Sequence, residues 1–282
     1  MNQSRRMLGL GAVFAIASVL AAQAAIDVVP WRQLSDRNVS PLGRRLMRGN
    51  TRAWFHAESD HLIIHAAQEP LLSESAHEAQ WCLMEIGRWL DLPALEKPVR
   101  VFVVKSSHDW ARVMQAATHG GDGVAAHLAG EVFIRRVPDE EKRYVDLAHE
   151  LVHARLYLAF GDRIPLWLDE GLAEYLGWRV AAAYYRQHRE LHLVQEPAPV
   201  DDAQWMTWEP FFELRDYPDD PERNRIFYRQ SYQVIRFLVE RLGEEHLGPF
   251  VRQVIAGGQS AEQLLRDEWG WETVDWDEAL TN

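Results

Sequence analysis

Apolar and polar positions change their rhythm near residue 141. Before that point, short β-like runs alternate with helical spacing. His61-Leu62-Ile63-Ile64-His65, closed by Ala66-Ala67, reads as a strand. Leu72, Ala76, Ala79, Leu83, Ile86 and Leu90 recur at three- and four-residue intervals, which predicts a helix over 72–90. Val99–Val104 is β-branched and strand-like, and 107–117 is helical in pattern. His119-Gly120-Gly121-Asp122-Gly123 reads as a loop, and Glu131–Arg136 as a further strand. Beyond 141 helical spacing takes over, broken by turns at Gly161–Pro165, 196–201, 215–222, Gly243 and Gly257-Gly258. The expected class is α+β: an N-terminal mixed β-sheet with helices over 51–140, a C-terminal helical subdomain over 141–282, and a site between them. Residues 26–50, polar and Arg-rich with Pro30 and Pro41, read as a linker or N-terminal arm.

Composition narrows the function. The 282 residues carry 30 Lys and Arg against 42 Asp and Glu, a net charge of -12. Proteins that neutralise phosphates usually show the opposite balance, so nucleic acid is not an expected partner, nor is an anionic membrane for the mature domain. The single cysteine, Cys82, rules out an intrachain disulfide and a CxxC metal site. Any metal must therefore be held by histidines and carboxylates. At the N-terminus, Arg5 and Arg6 precede an uncharged run, Met7–Ile26, that ends in Ala22-Gln23-Ala24-Ala25. This is the anatomy of a signal peptide over 1–25, cut after Ala24 or Ala25, with a periplasmic or secreted destination. An uncleaved membrane anchor is the rival reading.

The chemistry is concentrated in Asp146-Leu147-Ala148-His149-Glu150-Leu151-Val152-His153, an H-E-x-x-H motif in a helical pattern. Positions i and i+4 share a helix face, so His149 and His153 can offer two imidazoles to one ion. Glu150, one step round, is placed to act as a base on a water activated by that ion. The apolar flanks, among them Leu147, Leu151, Val152 and Leu156, bury these polar groups, and a metal would satisfy them. A catalytic zinc needs a third protein ligand and an open position. Glu170 and Glu174 also stand at i and i+4, bordered by Trp167, Gly171, Ala173, Gly177 and Trp178. Two carboxylates stacked on such a face repel each other unless a cation lies nearby. Glu170 is therefore expected as the third ligand, and Glu174 as the acceptor that fixes the tautomer of a ligand imidazole.

His149-Glu150-x-x-His153, then Trp167-Leu168-Asp169-Glu170-Gly171-Leu172-Ala173-Glu174-Tyr175 after 16 intervening residues between His153 and Glu170, resembles the gluzincin metallopeptidases, the small peptidase MA-like domains in particular. The resemblance covers about residues 55–260 in element order, with two sharp motifs. It implies a zincin-like fold, one Zn²⁺ per chain on His149, His153 and Glu170, Glu150 as general base and an outer role for Glu174. It also implies a tyrosine that steadies the developing oxyanion. Tyr228 sits at the corresponding position of Phe227-Tyr228-Arg229-Gln230-Ser231-Tyr232, and Tyr232, one turn on, is the second candidate. The Gly-x-Met-Glu-Asn motif of the aminopeptidase branch is missing; Ala129-Gly130-Glu131-Val132 is the nearest segment, and its strand is expected to line the cleft and pair with an extended substrate.

The expected activity is thus hydrolysis of peptide bonds in a peptide or protein substrate by a zinc metallopeptidase. The alternatives are a catalytically inactive zincin-fold module that only binds peptides, and a zinc amidohydrolase of non-peptide substrates. Other histidines fit solvated or packing roles better. His188 and His192 lie among polar residues, His61 and His65 are about 13 Å apart if both are in one strand, and His119 sits in the glycine-rich loop.

Overall fold

The computed structural model describes residues 26–48, 53–116, 124–137, 139–188, 197, 205–257, 260–270 and 276–281. Its one sheet is mixed and six-stranded: β1 Asp27–Val28, β2 Phe55–Ser59, β3 Leu62–Ala66, β4 Val99–Val104, β5 Ala125–Leu128 and β6 Glu131–Arg135, in the order β1-β2-β3-β4-β6-β5. The central pairs β3–β4 and β4–β6 are parallel, while β1–β2, β2–β3 and β5–β6 are antiparallel. Central parallel strands are covered on both faces and need near-continuous apolar runs. Leu62-Ile63-Ile64 and Val101-Phe102-Val103-Val104 supply them, and all are buried.

Helix α1 (Pro41–Leu46) and α3 (Ser107–Ala116) cover one face of the sheet, packing Leu42, Leu46, Trp110 and Val113 against Phe102, Val104 and Phe133. The other face carries α2 (Glu69–Leu90) and α4 (Glu140–Phe160), over Leu62, Ile64, Val101 and Val132. The chain then continues as α5 (Leu166–His188), α6 (Trp208–Glu213), α7 (Pro221–Leu242), α8 (Glu244–Gly257), α9 (Ala261–Trp269) and α10 (Trp276–Thr281). A mixed sheet followed by helices is the order the hydrophobic pattern predicts.

Three expectations change. Residues 26–48 pack on the sheet as an arm rather than forming a linker. Leu34, Val39, Leu42, Leu46 and Met47 are buried, and Ser40 N–H donates to Glu131 Oε1 at 2.8 Å, fixing the segment to the sheet. The short strands β2 and β5 were not apparent in the pattern. Finally, the strand at Glu131 is internal, between β4 and β5, so the sheet edge beside α4 belongs to β5. The signal segment 1–25 lies outside the described residues. No described helix is long and apolar enough to cross a membrane.

Candidate metal centre

Helix α4 begins where Asp139 accepts a 3.0 Å hydrogen bond from Lys142 N–H, the usual satisfaction of a free N-terminal amide. Its apolar residues Leu147, Ala148, Leu151 and Val152 are buried, which fixes its rotation and turns His149 and His153 toward α5. Helix α5 starts after Pro165 and runs between α4 and α7. Two glycines allow that close passage. A Cβ on Gly177 would lie 3.1 Å from His149 N, and one on Gly171 would lie 2.5 Å from the Ser231 carbonyl oxygen. Gly177 thus lets the α5 backbone come up to the first histidine, and Gly171 lets α7 close from the other side. The approach brings Glu170 and Glu174, one turn apart, against the histidine pair.

His149 Nε2 and His153 Nε2 are 3.1 Å apart. Glu170 Oε2 lies 3.6 Å from the first and 3.5 Å from the second. Among the described residues these three side chains are the one group of His, Cys and carboxylate donors whose ligand atoms all lie within 4.8 Å of one another. Glu170 Oε2 is buried and accepts no hydrogen bond. Tetrahedral zinc, with bonds of 2.0–2.1 Å, sets its ligand atoms about 3.3 Å apart. The spacing, the two-imidazole and one-carboxylate donor set, and the orphaned oxygen all fit a divalent ion of this kind.

Each donor is held from behind. The Tyr217 hydroxyl, in the segment between α6 and α7, donates to Glu170 Oε1. One carboxylate oxygen is thereby occupied and the other directed at the histidines. Asp169 Oδ1 lies 3.0 Å from His153 Nδ1, and neither buried atom has another partner. Glu174 Oε1 lies 3.6 Å from His149 Nδ1, beside the ring but beyond hydrogen-bond length. The structure therefore gives each imidazole its own carboxylate.

These placements set the charges. Burial, with His153 beside it, pulls His149 down to about 4. Burial also opposes charge on His153, but Asp169 and Glu170 outweigh it and hold that imidazole well above its ordinary range. Glu170 would be raised by burial, yet His153 outweighs this and keeps it near 2, so it is an anion at any physiological pH. Glu150 and Glu174 are both pushed up to about 8, each first by burial; Glu170 adds to both, and His153 opposes. Carboxyls kept from ionising beside the Glu170 anion and its orphaned oxygen suit a cation, whose charge would let them ionise.

Glu150 stands next to this group with its side chain 16% exposed, open to solvent on one side. His127 of β5 stacks on His153 with ring centres 5.0 Å apart and holds Nδ1 3.8 Å from Glu150 Oε2. Tyr228 is half-buried on α7, stacked on Tyr217 at 6.0 Å. Burial, and then the charges of Glu170, Glu150 and Glu174, raise its phenol well above the ordinary range, so it stays protonated and able to donate. Tyr232 instead is fully buried and packs on Tyr175.

The six residues His149, Glu150, His153, Glu170, Glu174 and Tyr228 expected on sequence grounds are thus brought together, while the second tyrosine candidate, Tyr232, is buried against Tyr175. Tyr217, Asp169 and His127 were missed. Asp169 left a signal in its position directly before Glu170, whereas nothing local marks the other two. His65 faces away from this site, its Nδ1 2.9 Å from His56 Nδ1 inside the sheet layer. His119 and the stretch 189–192 that follows His188 lie outside the described residues. No protein-family model and no curated protein matches the chain.

Proposed function

We propose that the chain is a zincin-like zinc-dependent peptidase of the gluzincin type, acting on peptide or protein substrates in the periplasm or outside the cell. The observation that carries this reading is the convergence of His149, His153 and the orphaned Glu170 Oε2 beside a second, solvent-accessible carboxylate, Glu150. A zinc ion on these three ligands supplies a Lewis acid that polarises a carbonyl and makes water acidic near neutral pH.

The chain's own groups do the rest. The Glu150 carboxylate accepts a proton from the attacking water, and the protonated Glu150 returns it to the leaving amine nitrogen. With a zinc ion beside it the carboxyl would ionise and be ready to take that proton, although burial in the metal-free fold favours its protonated form. The Tyr228 hydroxyl donates to the carbonyl oxygen as charge grows on it. Asp169 orients His153 through its Nδ1 atom, Glu174 stands beside Nδ1 of His149, and Tyr217 keeps Glu170 from turning both oxygens inward. The outer edge of β5, which carries His127 and has no further strand paired to it among the described residues, runs beside α4 and can pair with an extended peptide.

The test is cleavage of casein or a peptide library by the purified chain. Cleavage should stop with a chelator and return with zinc. Glu150→Gln should keep zinc and lose hydrolysis by at least a hundred-fold; undiminished turnover in that variant would refute the base. Retained peptide binding with no cleavage by the wild-type chain would favour the binding-module reading instead.

A further inference from the structure

Arg155 follows His153 by two residues, which places it about 200° round α4, away from the metal ligands. It is 94% buried by its 6% exposure, yet its only hydrogen bond among the described residues is from Nη2 to the Pro93 carbonyl at 3.1 Å. No carboxylate among them pairs with it. Its other two nitrogens keep some contact with solvent, so an anion arriving there would replace water on the cation.

Arg155 lines a hollow of about 350 Å³ between α2 and the connection to β4, with Leu83, Met84, Gly87 and Leu95 as its apolar walls. Gly87 is informative. A glycine inside a helix costs about 0.5–1 kcal/mol relative to alanine. A Cβ placed here would meet nothing within 4 Å, so packing does not require its absence. What the missing side chain does is leave the hollow open. Arg88 in the lining is already paired with Glu85, so beside the imidazole of His61 Arg155 is the guanidinium left to meet a ligand.

We propose that this pocket binds a linear aliphatic carboxylate, with its head group on Arg155 and its tail along Leu83, Met84 and Leu95. The volume holds about a dozen water-sized groups at about 30 Å³ each, which matches a chain of about ten carbons with its carboxylate. A peptide C-terminus has the same head group but brings backbone amides. The lining offers them only two neutral polar side chains, His61 and Gln80, and Gln80 Oε1 already accepts a 2.6 Å hydrogen bond from Ser59 Oγ. The proposal is independent of the metal centre, which lies on the other side of α4.

The probe is decanoate, titrated into the full chain by calorimetry below the concentration at which it forms micelles. Saturable binding of one decanoate per chain is expected. Arg155→Met should weaken it at least ten-fold. Gly87→Leu should do the same by filling the hollow while keeping the guanidinium, and its thermal unfolding should be no lower than wild type. Decanol, with the tail and no charge, should bind at least ten-fold more weakly. No saturable decanoate binding overturns the proposal. So does equal binding of decanol, undiminished binding in Gly87→Leu, or preference for an acetylated Leu-Leu-Ala peptide acid over decanoate.

Discussion

Tyr217→Phe removes a single hydroxyl and leaves the ring that stacks on Tyr228. That hydroxyl donates to Glu170 Oε1 and is the reason one oxygen of the ligand is occupied while the other points at the histidines. A hydrogen bond to a charged acceptor contributes about 1.5–3 kcal/mol. At 1.4 kcal/mol per decade, that corresponds to a zinc affinity weaker by about ten- to a hundred-fold, the range typical of groups that orient a metal ligand. The same hydroxyl is one of the contacts that keep Glu170 ionised at a value near 2. In Tyr217→Phe the carboxylate is free to rotate and to offer both oxygens. The assay is competition for zinc against a chromophoric chelator, with the visible spectrum of the cobalt-substituted protein as a second readout. Weaker zinc and an altered cobalt spectrum, with unfolding otherwise near wild type, are expected. An unchanged affinity together with an unchanged spectrum would show that Tyr217 does not position the ligand.

Two further outcomes follow from the same geometry. Gly171→Ala adds a methyl 2.5 Å from the Ser231 carbonyl oxygen, a backbone atom that cannot rotate away. Overpacking of about 1–3 kcal/mol should exceed the helix gain of about 0.5–1 kcal/mol, so chemical denaturation should show net loss of stability; a gain would contradict the close α5–α7 contact. The second concerns pH. Glu150 and Glu174 sit near 8 in the metal-free fold, above the ordinary carboxyl value of 4.5. Between those values the folded chain keeps protons that the unfolded chain has released. Their contribution to stability is complete below pH 4.5 and is lost as pH rises through 8. Zinc reverses the preference by placing positive charge beside them, so binding at neutral pH should expel protons. Calorimetry in buffers of different ionisation enthalpy should show release that diminishes above pH 8; buffer-independent heats would contradict it.

Much of the site is legible in the sequence because helices convert spacing into direction. His149 with His153, and Glu170 with Glu174, each lie one turn apart, and apolar neighbours fix which way each pair faces. Gly171 and Gly177 are visible as small residues, but which helix approaches each one is a tertiary fact. Tyr217 reaches Glu170 across 47 positions from an irregular segment, and His127 comes from an edge strand of small residues, Ala125-Ala126-His127-Leu128, without β-branched character. Neither carries a local period. The 26–48 segment misleads for a different reason. Its buried Leu42, Leu46 and Met47 are interleaved with Arg44, Arg45 and Arg48, so its composition looks solvated although one side packs on the sheet.

The most direct test of the central claim is the zinc K-edge absorption fine structure of the loaded protein, which counts the atoms around the ion. Two imidazole nitrogens at about 2.0–2.1 Å and carboxylate or water oxygens at about 2.0–2.2 Å, with one imidazole lost in His153→Ala and one oxygen shell changed in Glu170→Ala, are expected. A spectrum with fewer than two imidazoles, or one that neither substitution alters, would contradict a zinc ion held by His149, His153 and Glu170.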